Sequence, residues 1–584
     1  MGSTISERNL EDAQAPLGMA TTRYEERMAS ATGLAGHAAV KFESHQALCG
    51  AGILLMIPAL LSQGLLKTKE VYTLPNNHYY GLDSIVLTLA FMALARIKNP
   101  EQLKQCKPGE IGKIIGLDRI PEVKCLREKI KHLQLQKQAQ NLNLKLIDHW
   151  HNSLSDDESF LYIDGHQRIY YGYAANLPVK YISRQKLCLN ATTEYWVNDA
   201  CGMPVMMVTG ELTEKLEQVI EHQIIPELCK TNLIKSQNIT DEQTDQPVCT
   251  LVFDREAYHP AFFQRLLVEY EIAIISYRKN VKDSWPEESF EELTVIVLEQ
   301  PVTMLICEQK ITLSGSEFRE IRRLAKDGHQ TAIITTNKFI TKEIVAGRMF
   351  GRWSQENFFR YMISDYDFDK MIEYGTEAIE ETALIVNPEY RKLNHKIKKV
   401  REKIQRLKAQ LFPLIEQSMD ATLDNIKEIT KGQIAIKEKL DNVLIEEQNL
   451  LALRNQLPPK IQLKDMPEAL RLNKLKNESK IMMNVIKMIC YRAETAVANI
   501  LSENLNRAVD EKRMLVKQII QSDADIEPDY QNNTLTITLH NLSANRFNIA
   551  AEKLMETLNE TKTVFPGSDL TMIFKMSRST NCEK

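Results

Sequence analysis

Residues 160–165 read FLYIDG, a short run of β-formers that stops on an aspartate, Asp164. Two further β-rich runs follow with short polar breaks, RIYYGY at 168–173 and KLCLNATTEYWVND at 186–199, as in a meander of strands. An amphipathic helix is expected over about 212–229, with Leu216, Val219, Ile220 and Ile224 on one face. The apolar strand VCTLVFD, 248–254, comes next and again stops on an aspartate, Asp254. A helix near 260–270 and the strand IAIISY, 272–277, continue the pattern. Residues 291–336 are β-rich again, as in LTVIVL, VTMLICEQKITL and TAIITT. One long helix is then expected to begin near Lys342 and to carry RWSQENFFRYM, residues 352–362.

The order three strands, helix, strand, helix, strand, insertion, helix resembles that of the RNase H-like fold, whose first and fourth strands lie side by side. On that reading Asp164 and Asp254 are neighbours, and two adjacent carboxylates repel unless a cation sits between them. Oxygen-only ligands of this kind suit Mg²⁺ or Mn²⁺. The third carboxylate must come from the final helix, where Glu356 is the candidate. Arg352 and Arg360 stand one turn before and after it on the same face. Metal and guanidinium together match a phosphodiester backbone. A lone aspartate after a strand is most often a turn or cap residue, and Asp199 after TEYWVN is read that way. Trp353, Phe358 and Phe359 form the helix's core face, while His166 and Arg255 read equally as DNA contacts or structural hydrogen-bond partners.

The set FLYIDGH, LVFDREAY and RWSQENFFRYM resembles the DDE motifs of bacterial insertion-sequence transposases, in the group with a β-rich insertion between the second Asp and the Glu. The 102 positions from Asp254 to Glu356 leave room for that insertion. In the family's Glu motif (Tyr, two residues, Arg, three residues, Glu, six residues, Lys), Arg352 and Glu356 match. Met349 and Ile363 stand in place of Tyr and Lys, so Arg360 is left to make the lysine's phosphate contact from a different turn. The runs at 80–104 and 528–567 also look like those of large bacterial transposases, so the resemblance covers most of 47–575. It implies cleavage at the ends of a mobile element and transfer of the freed 3′-OH into target DNA. Asp164, Asp254 and Glu356 would hold two Mg²⁺ ions, Mn²⁺ able to substitute, one activating water and the other stabilising the leaving 3′ oxygen. It implies double-stranded DNA as partner (terminal repeats and target), a homodimer or higher oligomer on that DNA, and a bacterial cytoplasmic, nucleoid-associated location. An RNase H-like nuclease or resolvase, and a non-catalytic DNA-binding derivative, stay open as alternatives.

The net charge of −4 confines any DNA-binding surface to local patches. Residues 109–133 read helix, turn, helix, with Asp118 as a cap and Pro121 in the first turn of the second helix. Lys113, Lys124, Arg127 and Lys131 are candidate contacts there, and residues 101–145 hold ten Lys/Arg against five Asp/Glu. Residues 391–408 hold nine Lys/Arg and one Glu, with Lys398, Lys399 and Arg401 as candidate phosphate contacts. The same stretch carries an apolar seam spaced 4-3 (Leu393, Ile397, Val400, Ile404, Leu407, Leu411, Leu414), expected to end near Pro413; it suits a helical hairpin or a coiled coil. Ten scattered cysteines without a CxxC pair argue against structural zinc and disulfides and fit a reducing cytosol. The apolar stretches 47–66 and 82–97 read as buried helices rather than membrane spans.

The expected class is therefore α/β, an RNase H-like catalytic core with appended units. These are a flexible arm (1–44), a helical DNA-binding domain (45–150), the first part of the core (155–280), a β-rich insertion (281–338), the final core helix region (339–380), a helical hairpin or coiled coil (385–525) and a small strand–helix–strand unit (526–584).

Overall fold

The computed structural model describes residues 22–151, 160–173, 175–210, 214–231, 233, 246–368, 375–419, 426–468, 471–502 and 509–577. Residues 1–21 of the expected arm, the start of the helix expected at 212 and the last residues of the C-terminal unit lie outside these. The protein is a mixed α/β molecule with many helices and several sheets.

The first helix among the described residues, α1 (Tyr24–Ala31), falls within the expected flexible arm but is held: Arg27 pairs with Asp118 at 2.6 Å. Asp118 is buried and also accepts from the Tyr79 hydroxyl at 2.9 Å, so it serves this network and not as a helix cap. Strand β1 (His45–Leu48) opens a segment expected to be all helix. It pairs with a strand near the other end of the chain, His45 opposite Ile526, a partner that local periodicity cannot reveal. Helices α2 (Leu82–Leu94), α3 (Pro108–Ile114), α4 (Val123–Leu135) and α5 (Ala139–His151) follow. α4 begins two residues beyond Pro121, with Glu122 at its N-cap.

The central sheet starts with β2 (Phe160–Ile169), β3 (Val179–Ile182), β4 (Leu187–Asn198) and β5 (Pro204–Gly210). β2 runs straight into the stretch read as a second strand, and the third meander strand is PVMMVTG, reached through a turn in which Asp199 accepts from the Cys201 and Met203 amides. After a helical segment over 216–228 come β6 (Cys249–Phe253), α6 (Pro260–Tyr270) and β7 (Ile272–Tyr277). The β-rich stretch supplies β8 (Glu291–Val297), β9 (Gln300–Leu313), β10 (Ser316–Leu324) and β11 (Gln330–Thr335). The strands run in the order β3-β4-β2-β6-β7-β11-β10-β9-β8, with β5 on β4, as one ten-stranded sheet. β2, β6 and β7 are parallel, β4 and β5 are antiparallel to their neighbours, and β11 joins β7 antiparallel. The insertion therefore extends the central sheet.

Side chains alternate along each strand, so β2 sends Leu161 and Ile163 to a core shared with α6 and the 216–228 helix, and Phe160 and Tyr162 to the opposite face. That opposite face is covered by α7 (Lys342–Phe350) and α8 (Trp353–Ser364) where one helix was expected. The break has a local cause: the Arg348 carbonyl accepts from the Tyr162 hydroxyl at 3.0 Å, and Gly351 follows. Gly347 allows α7 to lie against β8, since a Cβ there would sit 2.5 Å from the Ile296 carbonyl oxygen.

Helices α9 (Pro388–Met419) and α10 (Ile426–Asn455) form an antiparallel hairpin, in which Val400, Ile404 and Leu407 pack on Val443. α9 continues through Pro413, and Gln433 donates to the Leu414 carbonyl at 2.7 Å across the pair. Packing thus offsets the ~3 kcal/mol that an interior proline costs. Helices α11 (Glu478–Ser502) and α12 (Val509–Gln521) lead to β12 (Ala524–Asp529), β13 (Thr534–Leu539), α13 (Asn545–Glu560) and β14 (Thr571–Met576). The last sheet runs β1-β12-β13-β14. The largest core joins both ends of the chain to the middle: Leu89, Leu142, Phe358, Ile489, Ile537 and Leu554 belong to one buried cluster. Among the described residues no helix is long and apolar enough to cross a membrane.

Candidate active site

The last parallel pair between β2 and β6 is Ile163 opposite Phe253, so Asp164 and Asp254 occupy the next rung. Asp164 does not end its strand as expected; β2 continues to Ile169, paired beyond this point with β4. Alternation puts Asp164 on the side of Phe160 and Tyr162, and Asp254 on the side of Val252, all three packed against Val345, Ala346 and Met349 of α7. Both carboxylates therefore emerge on the face covered by α7 and α8. Phe253 lies opposite Ser276, so Tyr277 extends the same row onto β7.

The break between α7 and α8 delivers Arg352 to this row. Its guanidinium lies 3.7 Å from an Asp164 oxygen and 3.8 Å from an Asp254 oxygen, and its buried Nε has no hydrogen-bond partner. Next to it, buried Gln355 fastens α8 to the sheet by donating to the Tyr162 and Trp196 carbonyls at 3.2 Å each and to Asn198 at 3.0 Å. Glu356 follows in the first turn of α8 and is exposed.

The electrostatics are those of crowded acids. Burial pushes the Asp164 carboxyl above its ordinary range; Arg352 and the Gly165 amide oppose this, while the charges of Asp254 and Glu356 add to it. Glu256 joins the group: burial and Asp164 raise its pKa, and the Tyr195 hydroxyl donates to it at 3.4 Å. Gly165 makes room for this contact, since a Cβ there would meet the Tyr195 ring at 2.9 Å. Tyr277 feels Arg352, Asp254 and Glu356, with burial first in raising its pKa. Glu256 and Tyr277 were missed in the sequence. The signals were a second carboxylate in VFDRE and the equal rank of Tyr277 and Asp254 at the ends of adjacent parallel strands.

Among the described residues no three His, Cys, Asp or Glu side chains converge into a ready-made metal cage. Asp164 and Asp254 face an arginine instead, and the third carboxylate stands one turn further along. The donor chemistry of the carboxylates fits a hard divalent cation: all-oxygen ligands and mutual repulsion, with Arg352 beside them as the counter-charge in this structure.

The remaining candidates lie elsewhere. Arg360 is exposed on α8, and His166 is buried between the rings of Phe359 and Phe368 at 5.7 and 4.7 Å, a core role. Lys113 is half-buried on α3; Lys124, Arg127 and Lys131 are exposed on α4, where Arg127 pairs with Glu101. Lys398 and Lys399 are exposed on α9, whereas Arg401 pairs with Glu447 at 2.6 Å.

A family profile described as transposase protein matches residues 18–578. No curated protein and no solved structure matches the chain.

Proposed function

The chain belongs to this family of transposase proteins, and from that premise we propose that it is a DDE transposase of the bacterial insertion-sequence kind, built on an RNase H-like core. The observation that carries the proposal is the shared rung: Asp164 and Asp254 side by side on parallel strands, with Arg352 between them and Glu356 one turn on. Strand order β5-β4-β2-β6-β7, an antiparallel meander continued by two parallel strands, supports the RNase H-like reading. On it, residues 155–280 and 339–380 make the core, and 281–338 its insertion.

Asp164, Asp254 and Glu356 would hold Mg²⁺, which supplies Lewis-acid activation of the attacking oxygen and charge neutralisation at the phosphorus. The protein's own groups do the rest. Arg352, already balancing two carboxylates, would offer its guanidinium to a phosphate oxygen of the DNA. Gln355 fixes α8 against the sheet, so Arg352 and Glu356 keep their positions as DNA arrives. Tyr277 closes the row with a neutral hydroxyl, since burial holds it protonated. Joining two element ends requires two such sites, hence a homodimer or larger assembly on DNA.

The basic face of α9 is proposed to follow the DNA backbone. Lys398→Glu with Lys399→Glu is expected to weaken duplex binding and flatten its salt dependence. The slope of log K against log salt should become shallower by about 0.9 for each phosphate that is no longer neutralised. Filter binding over a salt series measures this; an unchanged slope removes these lysines from the interface.

The function itself is tested by incubating wild-type chain with DNA carrying the element's ends, target DNA and Mg²⁺. Joined products support a transposase, whereas ends that are nicked and never joined favour a nuclease. DNA that is bound and neither cut nor joined favours a non-catalytic derivative.

A further inference from the structure

A cleft of about 1030 Å³ opens beside the proposed active site. One wall is α4, contributing Arg127, Ile130 and Lys131; the other is the far end of β2 and the turn after β3, contributing Arg168, Tyr171 and Arg184. Met92 and Met483 give it an apolar floor. Two of its cations are almost wholly buried, Arg168 at 3% and Lys487 at 5% exposure. Arg168 pairs with Glu194 at 2.9 Å, yet its Nε has no hydrogen-bond partner. Lys487 donates to the Tyr366 carbonyl at 2.8 Å.

The ligand class follows from the walls. Seven Lys and Arg residues line the cleft against two carboxylates, Glu101 and Asp367, and this excess of cations with an apolar part and an exposed tyrosine matches phosphates joined to flat apolar rings. The volume reaches the upper end of the ~300–1,000 Å³ typical of pockets for one small molecule, enough for more than one nucleotide. A duplex is read by an element that protrudes into its groove, whereas Arg127 and Lys131 here line a concavity. The position is telling as well. Arg168 is four residues beyond Asp164 on the same strand and the same face, about 13 Å away at ~3.3 Å per residue.

We infer that this cleft binds an unpaired stretch of DNA strand. The inference rests on the proposed transposase function. It gives α4 a role beyond duplex reading: its cations form the wall of a single-strand channel.

The test compares wild type with the double variant Arg184→Glu, Tyr171→Ala, both positions exposed, using fluorescence anisotropy on labelled oligothymidine and on a duplex of equal length. The expected result is a loss of single-strand affinity of about tenfold or more, with duplex affinity little changed. Unchanged single-strand affinity, or equal losses on both DNAs, overturns the cleft. Displacement of oligothymidine by a nucleoside triphosphate as readily as by unlabelled strand also overturns it, in favour of a free-nucleotide site. Wild type that binds duplex but no single strand overturns the cleft alone; wild type that binds neither overturns the transposase reading with it.

Discussion

Asp254→Ala is expected to leave the chain folded and bound to DNA while lowering end cleavage and joining by about a thousandfold or more, and Asp164→Ala is expected to do the same. The magnitude follows from the several kcal/mol of charge stabilisation that a metal site supplies, at tenfold per ~1.4 kcal/mol. The folding half follows from the site. The Asp254 carboxylate is more than half exposed, and its hydrogen bond goes to the amide of its own neighbour, Arg255, at 2.6 Å. Truncating it relieves repulsion on Asp164, and Arg352 keeps Asp164 as its carboxylate partner at 3.7 Å. Thermal denaturation and filter binding should therefore match wild type while joined products vanish. A variant that melts early instead would make Asp254 a structural residue.

Gln355→Met is expected to behave in the opposite way, harming fold and activity together. The side chain is buried, and its amide nitrogen serves two main-chain carbonyls, on β2 and β4, and Asn198. Methionine keeps the length but donates nothing, so buried acceptors lose their partner at a cost of about 1–3 kcal/mol. Arg352 and Glu356 lie within one turn of Gln355, and a displacement of α8 by ~1 Å is worth about a hundredfold in rate. The melting temperature and the joining rate should fall together. Wild-type joining in a destabilised variant would uncouple α8's position from the chemistry.

The central strands were legible because β6 and β7 are largely apolar runs and β2 opens on one, FLYI, with polar residues marking where each run stops. IAIISY and the helix at 260–270 match the structure residue for residue. The alignment of Asp164 with Asp254 was legible because each aspartate directly follows the apolar run of one of two adjacent parallel strands, even though β2 itself continues to Ile169. Features that depend on partners distant in sequence were not. β1 has no strand-like periodicity of its own and exists through Asp525, which accepts from the Ala47 amide at 2.7 Å, and Ile526. The break at Gly351 depends on a hydroxyl from Tyr162, and the route of α9 through Pro413 depends on Gln433. In the site, the carboxylates were visible as motif endings. Tyr277, the last residue of its strand, and Glu256, which acts through Tyr195, needed the sheet's register to be found.

If the Asp164–Asp254 row with Glu356 is a divalent-cation site, direct Mn²⁺ binding tests it without any DNA. Paramagnetic resonance of free Mn²⁺ should show uptake by wild-type chain that is abolished in the double variant Asp164→Ala, Asp254→Ala and weakened in Glu356→Gln. Equal Mn²⁺ uptake by wild type and the double variant would contradict the account.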